Sequence, residues 1–160
     1  MKVLLSWKKN LFSDLYTIYE NNLQIGTLRG NSFSQSAYSE LYGKSYTFKT
    51  KGFLRQHTEI IEEPTQTVIG IITLDNLWTK ANIKLHGKEV HWKYENLSNT
   101  KWRVSDETGL SIKYATSLTT GRIESNSMDL PLLLAGLFVT NYYWKMSLVI
   151  FIVLIIGIIR

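Results

Sequence analysis

The final 33 residues, "MDLPLLLAGLFVTNYYWKMSLVIFIVLIIGIIR" from Met128 to Arg160, are almost entirely apolar. A run of that length has to be buried in the protein's own core, in a bilayer or in a partner. Its start carries helix-opening chemistry. Ser127 and Asp129 are residue types that cap free N–H groups, and Pro131 is tolerated in a first turn. Leu132–Val139 is apolar all round, as a helix buried on every side must be.

The residues before it follow a different period. "SYTFK" (45–49) sets Tyr46 and Phe48 against polar neighbours, "KANIKL" (80–85) sets Ala81, Ile83 and Leu85, and "VHWKYE" (90–95) sets Val90, Trp92 and Tyr94. "KWRVS" (101–105) and "GLSIKY" (109–114) continue the alternation. A period of two places one face on a core and the other in water, which antiparallel sheets allow. Turn signals separate these runs: "ENN" at 20–22, "YGK" at 42–44, "EEPTQ" at 62–66, "LHGK" at 85–88, "SDETG" at 105–109 and "TTG" at 119–121. About twelve strands result, with no useful helical period before residue 128. Repeated hairpins without an unpaired edge imply a mainly β chain closed into an antiparallel barrel.

Such a barrel has a lumen too wide for its own side chains to fill, since about eight strands is near that limit. The C-terminal helix is the available filling, so the expected domain is 1–145, including a helical plug at about 128–145. Strands of about seven residues tilted by about 40° give a barrel roughly 18 Å deep. A helix over 131–159 would run to roughly 44 Å, leaving about 25 Å outside. The excess is the most apolar part, "LVIFIVLIIGII" (148–159). Residues 146–160 therefore read as a membrane anchor threading out of the barrel. The boundary is expected at Tyr142, Tyr143, Trp144 and Lys145, residue types that favour the water–hydrocarbon interface.

The chain of 160 residues carries a net charge of +5 and contains no cysteine. Disulfides and thiolate metal sites are thereby excluded. The start, "MKVLLSWKKNLF", lacks a long apolar region and a small-residue cleavage site, and reads as a mature N-terminus in the cytosol. Residues 1–57 hold the whole charge excess, eight Lys or Arg against three acidic residues. The best basic constellation is "KSYTFKTKGFLR", with Lys44, Lys49, Lys51 and Arg55 as candidate lipid- or phosphate-binding residues. Ordinary outward lysines on a barrel are the plain alternative. Tyr46 and Phe48 share the face opposite Lys49 and read as core, which weighs against single-stranded nucleic acid as a ligand.

No motif carries chemistry. His57, His86 and His91 have no metal-pair spacing, and Asp106 with Glu107 supplies too few oxygens for a calcium loop. No phosphate-cradling glycine loop or serine elbow occurs. The chain reads as non-catalytic, with no cofactor and no metal.

Five stretches resemble the tubby C-terminal-like superfamily, which includes the phospholipid scramblases and the plant LURP-one-related proteins. They are "LYTIYENNLQIGTLRG" (15–30), "AYSELYGKSYTFKTKGFLRQHTEI" (37–60), "VIGIIT" (68–73), "GKEVHWKYEN" (87–96) and "LLLAGLFVTNYYW" (132–144). The resemblance rests on order and pattern across most of the chain. It implies a barrel wrapped around a terminal helix, and activities ranging from phosphoinositide binding to membrane association with disputed lipid movement. No residue maps onto the phosphoinositide contacts of tubby proteins, and the scramblases' calcium segment has no counterpart. The expected function is a membrane-associated barrel facing the cytoplasm that binds an anionic lipid surface or a membrane-protein partner, and no nucleic acid. The alternatives are a scramblase-type lipid-handling protein and a soluble subunit that docks its helix into a partner.

Overall fold

The computed structural model describes residues 1–31, 33–52 and 57–160. Among these residues twelve strands precede one helix. They are β1 (Val3–Lys8), β2 (Leu15–Glu20), β3 (Leu23–Gly30), β4 (Ala37–Leu41), β5 (Lys44–Lys51) and β6 (His57–Glu62). The second half holds β7 (Thr67–Leu74), β8 (Lys80–Leu85), β9 (Lys88–Tyr94), β10 (Lys101–Ser105), β11 (Ser111–Thr116) and β12 (Thr120–Ser125). The helix α1 spans Leu130–Ile158. Each strand pairs antiparallel with its sequence neighbours, and β1 closes on β12 with Val3 opposite Ser125 and Lys8 opposite Thr120. The expected closed barrel is therefore present, and closure leaves no edge for aggregation.

Alternation decides which side chains face inward. In β1 Val3, Leu5 and Trp7 are buried while Leu4, Ser6 and Lys8 are exposed, and β8 buries Ala81, Ile83 and Leu85. These inward residues form one continuous core with Leu132–Val139 of the helix. Asp129 caps α1 by accepting from the Leu132 amide at 3.2 Å, and Pro131 sits in the first turn where its missing N–H costs nothing.

The fit between helix and wall is made by aromatic rings and polar tips. Trp92 and Trp102 both donate their indole N–H to the Gly136 carbonyl, at 3.1 and 3.0 Å. The Tyr114 hydroxyl donates to the Leu133 carbonyl at 3.0 Å. Burial pushes that phenol well above its usual pKa, so it remains a neutral donor. Gly136 is required by close approach: a Cβ there would stand 2.2 Å from the Tyr114 ring.

An internal repeat emerges from the pairing. Ile25–Lys49 ("IGTLRGNSFSQSAYSELYGKSYTFK") aligns without gaps on Ile69–Lys93 ("IGIITLDNLWTKANIKLHGKEVHWK"). Gly26 lies opposite Leu41 and Gly70 opposite Leu85, each strand pair is followed by a Gly-Lys turn, and each glycine follows a register shift in its sheet. A Cβ at either glycine would collide with the neighbouring strand, at 2.2 Å from the Glu40 carbonyl oxygen or 2.5 Å from that of Lys84.

Candidate functional site

Because the strands run up and down in sequence, all odd-to-even turns lie at one end of the barrel and all even-to-odd turns at the other. The helix enters beside the even-to-odd turns, after β12, and leaves through the odd-to-even end, the exit rim. Pro131–Tyr143 is the stretch inside; Thr140 alone within it is only part-buried. Those 13 residues measure about 20 Å, close to the depth expected of the barrel. Beyond the rim the helix continues unbroken. From Leu148 to Ile159 every residue is exposed, and the large apolar side chains there are 40–82 % exposed.

One helix, Leu130–Ile158, is thus long and apolar enough to cross a membrane by length and composition. The core helix of a soluble protein can pass the same test when it is mostly buried. Here only 17 % of the qualifying 18-residue window is buried.

The rim grips the helix as it leaves. The Lys145 ammonium pairs with the Asp14 carboxylate at 3.1 Å, and Asp14 lies in the turn between β1 and β2. The Gln35 side-chain amide donates to the Met146 sulfur at 3.1 Å. The Tyr143 hydroxyl accepts from the Asp75 amide at 2.9 Å and donates to the Lys80 carbonyl. Burial lowers the Lys9 pKa; Asp14 opposes that shift and Lys145 adds to it. Lys9 also lies over the Tyr16 ring, 5.4 Å from its centroid.

These contacts correct the expected boundary. Tyr142 and Tyr143 are core residues, 3 % and 1 % exposed, rather than residues at a water–hydrocarbon interface. Their rings pack on Phe138 and Trp92, because the lumen extends one helical turn further than the apolar run suggests. Trp144 is half-exposed at the rim, and Lys145 turns back to Asp14.

The basic constellation is corrected as well. Lys44 begins β5 at the entry end, whereas Lys49 and Lys51 finish it at the exit rim. Seven strand steps separate Lys44 from Lys51, about 24 Å, so the three do not form one patch. Lys51 pairs with Glu59 at 2.7 Å. Arg55 lies outside the described residues.

Charge is instead sorted along the barrel axis. Taking the exit half of every strand with its turns, β1 to β5 contribute Lys8, Lys9, Arg29, Lys49 and Lys51. The later elements add Lys80, Lys93, Lys101, Arg122 and Lys145. Against these ten stand four acidic residues, Asp14, Glu59, Asp75 and Glu95, an excess of six positive charges among the described residues. With Arg103 at the midpoint of β10 counted in neither half, the entry half holds five basic and nine acidic residues, an excess of four negative charges. Sequence order hides this sorting, because each strand carries residues of both ends. Alternate strand ends would have to be pooled to see it.

Among the described residues no group of three or more His, Cys, Asp or Glu is placed to hold a metal ion. His91 lies on the outer wall and shares a hydrogen bond with the Asn82 side chain at 2.8 Å. No family model, curated protein or solved structure matches this chain.

Proposed function

We propose that this protein is a non-catalytic, membrane-attached barrel of the tubby-like kind, with its barrel on the cytoplasmic side and an anionic lipid surface as its ligand. The observation that carries the reading is the bare apolar helix beyond the rim. Eleven large apolar side chains between Leu148 and Ile159 are each 40 % or more exposed among the described residues. Soluble proteins rarely leave a contiguous apolar surface of that size in water. The excess of Lys and Arg where the helix departs agrees with the bias of cytoplasmic flanks toward positive charge. The resemblance to tubby-like chains adds the order of strands followed by a central helix.

The test is flotation of the full-length protein with phosphatidylcholine vesicles containing phosphatidylserine. The protein is expected to float with them, and the double variant Phe151→Glu, Ile155→Glu to stay at the bottom while keeping the barrel's circular dichroism. Equal recovery of both proteins in the dense fraction would remove the anchor.

A further inference from the structure

The exit rim differs from the entry rim in a second way. Its turns lift large apolar side chains into solvent. Phe12 stands in the β1–β2 turn and Phe33 in the β3–β4 turn, both 100 % exposed. Leu77 occupies the β7–β8 turn, Leu97 the β9–β10 turn and Leu118 the β11–β12 turn, each more than three-quarters exposed. All five described exit turns therefore carry one; the β5–β6 turn falls largely outside the described residues.

Polar neighbours hold the shape of these turns and leave the apolar side chains unused. The Asn31 carboxamide accepts from the Phe33 amide at 2.9 Å, and that of Asn96 accepts from the amides of Thr100 and Lys101 at 3.0 and 3.1 Å. Single exposed apolar residues are ordinary. One on each described turn around the mouth from which an apolar helix emerges is a pattern. The entry turns are built from Asn21–Asn22, Tyr42–Gly43, Pro64–Gln66, His86–Gly87 and Asp106–Gly109. Tyr42 is the large apolar residue on these turns, about two-fifths exposed. Others at that end lie off the turns, Met1 (83 %), Leu4 (58 %), Leu23 (71 %) and Val68 (49 %) on the N-terminus or on strands and Met128 (40 %) before the helix.

The helix length fits the same arrangement. From Met146 to Ile158 it measures about 20 Å, against about 30 Å of hydrocarbon in a typical bilayer. A barrel held away from the surface would leave much of that length among headgroups. A barrel pressed onto the surface brings all of it into hydrocarbon.

We infer that the exit rim is itself a membrane-contact surface: the barrel stands end-on upon an anionic phospholipid bilayer, with its turn tips in the interface. This deepens the anchor reading and rests on it. Phe12, Phe33, Leu77, Leu97 and Leu118 enter the acyl–headgroup boundary around the helix. The basic collar behind them meets headgroup phosphates and carboxylates, and the acidic entry end points to water. Apolar tips and basic charge on one rim suit an anionic lipid surface, whose interface offers both partners at once.

The chain has no cysteine, so single cysteines can be placed and labelled with an environment-sensitive fluorophore. Phe33→Cys, Leu97→Cys and Leu118→Cys probe the rim, Ile152→Cys the helix, and Glu107→Cys the opposite end. All five are exposed positions in the full-length protein. With vesicles of phosphatidylcholine and phosphatidylserine, the rim and helix labels are expected to shift to the blue and become shielded from iodide, with the Glu107→Cys label unchanged. Replacing phosphatidylserine by phosphatidylcholine should weaken binding on the order of tenfold or more, because it removes the anionic charge that attracts the basic collar. If the Ile152→Cys label enters the bilayer while all rim labels stay in water, the rim inference is wrong and the anchor stands. If every label stays in water, the anchor reading falls and the rim inference with it. Equal shielding at Glu107→Cys and the rim means unoriented adsorption and also overturns the inference.

Discussion

Tyr142 and Tyr143 are adjacent on α1, both buried, and opposite in their hydrogen bonding. The Tyr143 hydroxyl joins the helix to the β7–β8 turn through Asp75 and Lys80. The Tyr142 hydroxyl has no hydrogen-bond partner among the described residues. A buried donor without a partner costs free energy, while a satisfied one returns a little more than it lost to water. Tyr143→Phe should therefore lower unfolding stability by about 1–2 kcal/mol, because it orphans an amide and a carbonyl as well. Tyr142→Phe should be neutral or stabilising by up to about 1 kcal/mol. Denaturant melts of the two variants in detergent decide the point, and the reverse ranking would refute this assignment of roles. In the sequence the two tyrosines look alike, and together with Trp144 and Lys145 they read as an interfacial belt. Which of two neighbouring rings reaches the wall depends on where β7 and β8 turn, and periodicity carries no information about that.

At the scale of the element, α1 is one continuous helix with two environments. Gly136 and Gly157 mark them. A Cβ at Gly136 would strike the Tyr114 ring, and one at Gly157 would meet nothing within 4 Å. Gly136→Ala should consequently displace Tyr114 from its bonds to the helix carbonyls and cost about 1–3 kcal/mol, as overpacked cores do. Gly157→Ala should leave barrel stability unchanged within about 0.5 kcal/mol while favouring helix at the tip. Comparing the thermal midpoints of both variants checks this; equal effects would mean that the two halves share one environment. The helix start was legible in advance, since Asp129 and Pro131 act on neighbours one turn away. The basic stretch on β5 was not, because Lys44 and Lys51 belong to opposite ends of one strand. The repeat of Ile25–Lys49 in Ile69–Lys93 was in plain view. Its few identical residues become persuasive only beside the matched positions of Gly26 with Leu41 and Gly70 with Leu85.

For the whole molecule, the wall and its plug are one cooperative unit. Inward residues from all twelve strands meet Leu132–Val139 in a single core, and a twelve-stranded tube without filling would leave a large apolar void. Native-state hydrogen exchange should accordingly show the amides of Leu133–Val139 opening only with the central strands, at the free energy of global unfolding. Helix amides exchanging faster than those of β8 and β9 would show that the plug can leave a standing barrel. The closed sheet, the plug and the overshoot of the helix all followed from the sequence. Alternation, turn chemistry and 1.5 Å per helical residue are local rules, and counting them needs no knowledge of who touches whom. Only the tertiary structure could decide which turns share a rim, that the tips of those turns are apolar at one end, and that positive charge gathers there. Those properties belong to the barrel axis, and a chain that reverses direction at every turn scatters each end of that axis across its whole length.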